Sequence, residues 1–237
     1  PAAWSDWKAR LIATLVDRVH AAISGADAQE APSLATSFAQ LLNGHEIEVA
    51  VSQETDGLRI IVAADDRVGL LSTVAGMLAM QRLDVLSATV DTQSGRALQS
   101  WLTLPAFGDP PEAEVVTSAI RRALEGDVDI AAGITSLRAM RPSRRGFTPP
   151  PPRVRILDGA SDRADVLEVR AHDQPALLWR VTNAVAEAGF SVVNALVSTL
   201  GSEIIDTLYL VEGDGARLQP HRMQDAVEAV NSVLQVG

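Results

Sequence analysis

The chain has 237 residues and a formal net charge of −10, and 47% of it is hydrophobic but only 4% aromatic. That is enough apolar material for one large core or two small ones, built from Ala, Val, Leu and Ile, on a surface too acidic to supply the basic field of a nucleic-acid binder. The absence of cysteine excludes disulfides, thiolate metal sites and a cysteine nucleophile, and the four histidines lack the short spacing of a zinc site.

Residues 4–24 read as an amphipathic helix, with Trp4, Trp7, Leu11, Leu15 and Val19 at three- and four-residue steps and Ser24-Gly25 as a stop. A second helix follows Pro32-Ser33, with Leu34, Phe38, Leu41 and Leu42 on one side. From His45 the period changes to two. Ile47, Val49 and Val51 alternate, and after a turn so do Leu58, Ile60 and Val62, which predicts two strands. The turn DRVGLL (66–71) then opens a helix. Two strands follow in LDVLSATV (83–90) and RALQSWLTL (96–104), then a helix that buries Val116, Ile120 and Leu124. A last strand is expected within 130–137.

The turn recurs. DQPALL (173–178) stands 107 residues after DRVGLL, and at that shift residues 66–104 align with 173–211 without a gap. The identities, among them Asp66/Asp173, Leu70/Leu177, Val74/Val181, Val85/Val192, Ala88/Ala195 and Thr92/Thr199, fall on one β-α-β-β frame, so the chain carries an internal duplication. Each unit reads β-α-β-β-α, with a fourth strand in the first copy. The second ends in a helix bearing Met223, Val227, Val230 and Leu234; there RVRIL (153–157) supplies the edge strand, as EIEVAV (46–51) flanks the first. The expected fold class is α+β: two tandem ferredoxin-like βαββαβ sandwiches preceded by a short helical segment.

Boundaries follow from composition. Residues 1–44 form the helical segment, 45–140 the first unit, 141–153 a Pro/Arg-rich linker and 154–237 the second unit. Four consecutive prolines make the linker extended and semi-rigid. Its arginines are read as solvated, with docking of an acidic partner as the alternative. No apolar run is long enough to cross a bilayer and no signal-peptide pattern opens the chain, so neither membrane nor nucleic acid is expected as a partner and the cytosol is the expected compartment. The chain begins at Pro1 rather than Met, which suggests a fragment or a processed product.

The repeated turn offers chemistry of its own. The first amides of a helix are unpaired and its dipole is positive there, which suits a carboxylate or amide oxygen. Gly69 admits close backbone approach, so Gly69→Val is expected to block a ligand, and Asp66 either caps the helix or accepts from a ligand's amino group. A plain capping turn and a ligand site both remain open on spacing alone.

The paired units resemble ACT domains, whose pattern D-R-P-G-L-L, helix, then x-D-V-x-x-A-x-V-x-T is matched by DRVGLLSTVAGMLAMQRLDVLSATVDT and DQPALLWRVTNAVAEAGFSVVNALVST. With AAWSDWKARLI ahead of them and RVRILDGASDRADVLEVRAHDQPALL entering the second copy, nearly the whole chain resembles the C-terminal tandem ACT region of bifunctional uridylyltransferase/uridylyl-removing enzymes that modify the PII signal protein. The resemblance implies a glutamine-sensing region, with L-glutamine and PII as partners together with nucleotidyltransferase and hydrolase domains absent from this chain. It also implies transfer of a uridylyl or adenylyl group by the parent, with Mg²⁺ there and no cofactor here. The implied effector-binding residues are Asp66, Arg67, Gly69, Leu70 and Leu71 in the first copy and Asp173, Gln174, Ala176, Leu177 and Leu178 in the second, with Asn194 reaching across an interface. Val68 replaces the family's proline and Ala176 its glycine, so the first turn is expected to be the better ligand site. No Gly-Ser turn with paired acids, no His-Asp hydrolase set and no Ser-His-Asp set is present, so no catalytic residues are assigned. The rival readings are a ligand-free interaction or dimerisation module that docks PII, and the amino-acid-sensing region of another biosynthetic enzyme.

Overall fold

A computed structural model describes residues 46–139, 150–200 and 202–235. The helices expected within 4–42, and the linker up to residue 149, lie outside the described residues. The strands are β1 (Glu48–Glu54), β2 (Gly57–Asp65), β3 (Leu83–Gln93), β4 (Arg96–Pro105), β5 (Arg153–Ile156), β6 (Asp165–His172), β7 (Phe190–Leu200) and β8 (Glu203–Glu212). The described helices are α1 (Leu70–Met80), α2 (Ala113–Leu124), α3 (Ile130–Ala139), α4 (Leu177–Glu187) and α5 (Pro220–Gln235).

All eight strands form one antiparallel sheet in the order β1-β2-β4-β3-β7-β8-β6-β5. The second half of that order repeats the first in reverse, so the two units are joined edge to edge through β3 and β7. A β-bulge interrupts β3 between Val85 and Ser87, and another interrupts β7 between Val192 and Asn194. These are equivalent positions of the two copies, so the duplication extends to an irregularity of the backbone.

Sequence dictates these elements plainly. In β2, Leu58, Ile60, Val62 and Ala64 alternate onto the helix layer and join one core that spans both units. In α2, Val116, Ile120, Ala123 and Leu124 make the buried stripe, with Glu114 in the first turn and Arg121 and Arg122 in the last, where they complement the helix dipole. Ala226, Val230 and Leu234 bury α5 in the same way.

One expected element is corrected. Residues 130–137 are not a strand but lie in α3. Ile130, Ile134 and Leu137 recur at helical spacing, and the Asp129 carboxylate accepts a hydrogen bond from the Ala132 amide at 2.9 Å, as an N-cap does. The edge place in each unit goes instead to the strand that precedes it. β1 pairs with β2 and β5 with β6, so each copy runs β-β-α-β-β-α.

Candidate functional site

The turn between β2 and α1 is fixed by its backbone. The Asp66 amide donates to the Gly95 carbonyl (2.8 Å) and the Leu70 amide to the Arg67 carbonyl (3.1 Å), and the Thr73 amide donates to the Gly69 carbonyl (2.9 Å). Gly69 is the N-cap residue, at φ 86° and ψ −2°, and no side chain caps α1. Asp66 therefore does not serve as the helix cap, and the earliest amides of α1 have no intrahelical acceptor.

Glycine is needed at position 69 for its conformation rather than for space. A Cβ there would meet nothing closer than Ser72 Oγ at 3.7 Å and the Ala186 methyl at 3.8 Å. The positive φ is what a side chain would strain.

Asp66, Arg67, Gly69, Leu70 and Leu71 line one cleft, together with Ser72, Ala97 and Gln99 of the first unit. Its far wall belongs to the second unit: Thr182 and Ala186 of α4, then Phe190 and Val192 of β7. Sequence reasoning does not find this wall, because it depends on which sheet edges meet. The one available signal was Gln99, a polar residue at an inward position of β4. It is buried, and its Oε1 accepts from Trp101 Nε1 at 3.2 Å. The free space in the cleft is about 10 Å³, room for about one water molecule.

Burial pushes the Asp66 carboxyl above its ordinary range, and the Arg67 amide and Thr92 hydroxyl offset this in part. The Thr92 Oγ1 itself is buried and completes no hydrogen bond, so its support for the carboxylate is weak. Arg67 also donates to the Leu124 carbonyl at the end of α2 at 2.5 Å. It ties the turn to α2, where the helix dipole favours a cation.

The second turn repeats this geometry with different side chains. The Asp173 amide donates to the Ser202 carbonyl (2.8 Å), the Leu177 amide to the Gln174 carbonyl (3.0 Å) and the Arg180 amide to the Ala176 carbonyl (3.0 Å). Ala176 holds the left-handed conformation at φ 57° and ψ 24°, a strained state for a residue with a Cβ. Gln174 replaces Arg67, and Arg180 takes over the tether. Its Nη1 donates to Gln174 Oε1 at 3.1 Å and its Nη2 to the Val233 carbonyl near the end of α5.

Beneath this turn lies Asp206, the counterpart of Gln99. It is fully buried and neither carboxylate oxygen completes a hydrogen bond. Burial pushes its pKa up to about 8. The Ser198 amide, outside hydrogen-bonding geometry, offsets this in part, and the negative charge of Asp173 adds to it.

Asn194 does not join either turn. It faces Asp91 across the β3–β7 joint and alternates with the core residue Ala195, which puts it on the sheet face away from the helices. The Asp65–Asp66 doublet also separates: Asp65 pairs with Arg96 at 3.4 Å while Asp66 turns into the cleft. Such a split pair does not fit the shared oxygen donor set of a Mg²⁺ ion. A larger, open concavity of about 440 Å³ lies at the far edge of the first unit, around Gly57, Leu86 and Leu104. It draws residues from one unit alone and lies away from both turns.

No family model matches the chain. A bifunctional uridylyltransferase/uridylyl-removing enzyme of Streptomyces coelicolor is 33% identical over 92% of this chain, which spans 32% of that relative. An enzyme of the same name from Mycobacterium tuberculosis is 38% identical over 87% of this chain and 27% of its own length. One from Rhodospirillum rubrum is 29% identical over 77% of this chain and 20% of its own length. The chain spans about a third or less of each of these curated relatives.

Proposed function

Because this chain belongs to the family of bifunctional uridylyltransferase/uridylyl-removing enzymes and spans about a third of their length, we propose that it is the glutamine-sensing ACT region of such an enzyme. On this reading the parent adds a nucleotidyl group to PII and removes it, with Mg²⁺ held by its other domains, and this region biases which reaction proceeds. The supporting observation is the cleft at the first turn, which takes one wall from each unit.

A ligand in that cleft touches both units at once, so its affinity depends on their spacing. In the arrangement described, the space admits only about one water. Glutamine therefore binds an opened arrangement, and stabilises it by the difference in affinity between the two. Its carboxylate or side-chain amide would face the free amides of α1, and its ammonium group Asp66. A preference of about 2 kcal/mol changes the ratio of the two arrangements about thirtyfold, ample for a metabolic switch.

Isothermal titration of the chain with L-glutamine, with L-glutamate and L-valine as controls, tests this reading. Saturable heat selective for glutamine is the expected result. Saturable heat with one of the controls instead would point to the sensing region of another amino-acid-regulated enzyme.

The narrowness of the cleft and the methyl of Ala176 favour one rival, a ligand-free module that docks PII. Absence of heat with every amino acid, together with retention of PII on the immobilised chain, would establish that rival.

A further inference from the structure

The two turns share one backbone geometry but stand over different floors. The strand register sets Gln99 opposite Val62 in the first unit and Asp206 opposite Val169 in the second. Gln99 is neutral, and its Oε1 accepts from Trp101 Nε1 at 3.2 Å. The residue equivalent to Trp101 is Leu208, which has no donor to offer. Asp206 is 0% exposed, and neither of its oxygens completes a hydrogen bond among the described residues. Val169 and Val197 face it across the ladders and Ile204 and Leu208 flank it on β8, all four in the core on the helix side of the sheet. A buried acceptor without a donor costs its full desolvation penalty, and the fold gains nothing from it in return.

Two further groups converge on the same place. Asp173, the counterpart of Asp66, stands on the turn itself, near enough for its charge to act on Asp206. The second turn thus combines two acids where the first combines Asp66 with an amide. Above them, Ala176 starts α4 in the same left-handed region as Gly69, and no side chain caps the helix. The earliest amides of α4 have no intrahelical acceptor, and the helix dipole is positive there. Donors for an anion therefore lie beside a pair of carboxyls suited to positive charge.

We propose that the second turn binds an amino acid with a cationic side chain, its carboxylate on the first amides of α4, its α-ammonium group at Asp173 and its side-chain ammonium group on Asp206. The need for a side-chain cation stands on Asp206 alone, whereas the length of the ligand rests on the glutamine reading of the first turn. L-ornithine carries its side-chain nitrogen at the same chain position as the amide nitrogen of glutamine. Equivalent turns would then differ only in placing an amide over Gln99 and an ammonium over Asp206. Without ligand, burial holds the Asp206 carboxyl protonated up to about pH 8, which limits the cost of leaving it unpaired, and an entering cation restores the ionised form. The joint between the units sets α1 beside this turn as it sets α4 beside the first, and Trp179, standing where the first turn has Ser72, packs against Gly76 of α1. Entry therefore needs the two helices to part.

Isothermal titration of the full chain with L-ornithine and L-lysine tests the proposal. L-norvaline, which is ornithine without its side-chain ammonium, and putrescine, which is ornithine without its carboxylate, are the controls. At least one of the two basic amino acids should bind at least about tenfold more tightly than either control, the worth of one charged hydrogen bond. Asp206→Asn should weaken that binding by about tenfold or more, and saturating L-glutamine should leave it in place. Equal affinity for norvaline, or no saturable heat with either basic amino acid, would overturn the proposal without recourse to any variant. Binding that survives Asp206→Asn, or that glutamine displaces, would assign the ligand elsewhere and overturn it equally. Ornithine or lysine heat that Asp206→Asn abolishes, in a chain that gives none with glutamine, would uphold this site while the reading of the first turn fails.

Discussion

Thr89 of β3 stands directly opposite Leu196 of β7, and the two residues occupy the same position of the two repeats. The joint between the units is therefore centred on itself, as the interface of a symmetric dimer would be. On either side of that centre, Ala88 faces Val197 and Val90 faces Ala195, all buried on the helix side. Thr199 adds a hydrogen bond from its Oγ1 to the Val85 carbonyl at 2.9 Å. The sheet joint brings α4 and the start of β7 over the first turn, and so creates the cleft.

Disrupting the joint should separate the units before it unfolds either one. Val90→Asp introduces a charge at a fully buried position opposite Ala195, where it has no partner. The expected loss is at least about 3 kcal/mol. Denaturant unfolding should change from one transition to two, because each unit keeps its own helices. A single transition with unchanged midpoint would show that the joint contributes little.

The helix layer has its own tight point. A Cβ on Gly76 would lie 2.3 Å from Ile130 Cγ2 and 2.6 Å from Trp179 Cδ1. Gly→Ala inside a helix ordinarily gains about 1 kcal/mol, but here α1, α3 and α4 meet over that hydrogen. Overpacking typically costs about 1–3 kcal/mol and wins. Gly76→Ala should lower the melting temperature and shift the fluorescence of Trp179, both readable in one thermal scan.

The duplication is legible in the sequence because its identities all fall on one repeating frame of turn, helix and strands. The edge strands are legible too, since Ile47, Val49 and Val51 alternate ahead of the frame. What remains hidden is longer in range. Periodicity marks β3 and β7 as strands, but nothing local says that their free edges pair, so Thr182, Ala186, Phe190 and Val192 could not be assigned to the first turn. Asn194 does lie at the joint, but which face it takes is not local information, because the bulge before it resets the alternation. The short run at 130–137 satisfied two periods at once, and the Asp129 cap decides for the helix. Arg180 takes over the role of Arg67 from a different sequence position, which a gapless repeat alignment cannot reveal.

The two turns also make opposite predictions for one substitution. Ala176 holds a left-handed conformation that costs a Cβ-bearing residue about 1–2 kcal/mol. Replacing it with glycine relieves that strain, and the greater freedom of the unfolded chain offsets about 0.4–1 kcal/mol of the gain. Ala176→Gly should therefore stabilise the protein by about 0.5 kcal/mol, and Gly69→Ala should destabilise it by a similar amount. Urea titrations of both variants check the pair of signs. Since the new methyl at position 69 meets only ordinary contacts, Gly69→Ala should also leave any glutamine heat measurable, whereas the branched side chain of Gly69→Val adds strain to any effect on binding.

Asp206 supplies a pH signature. Its carboxyl titrates at about 8 in the folded chain instead of the ordinary 3.8, so between those values the folded state holds a proton that the unfolded state has released. Stability must then fall as pH rises through that interval, by about 1.4 kcal/mol per pH unit for this one group. The contribution is fully present below pH 4 and is lost once pH has passed 8. Asp206→Asn removes the titration while keeping the shape, and it resembles the neutral Gln99 at the same place in the first unit. Other carboxyls, including Asp66, are common to both proteins and cancel in the comparison. Urea unfolding at pH 5 and pH 8 should show the parent losing distinctly more stability across the interval than Asp206→Asn. Parallel losses in the two proteins would mean that Asp206 is already ionised at pH 5, with a partner drawn to it in the folded chain.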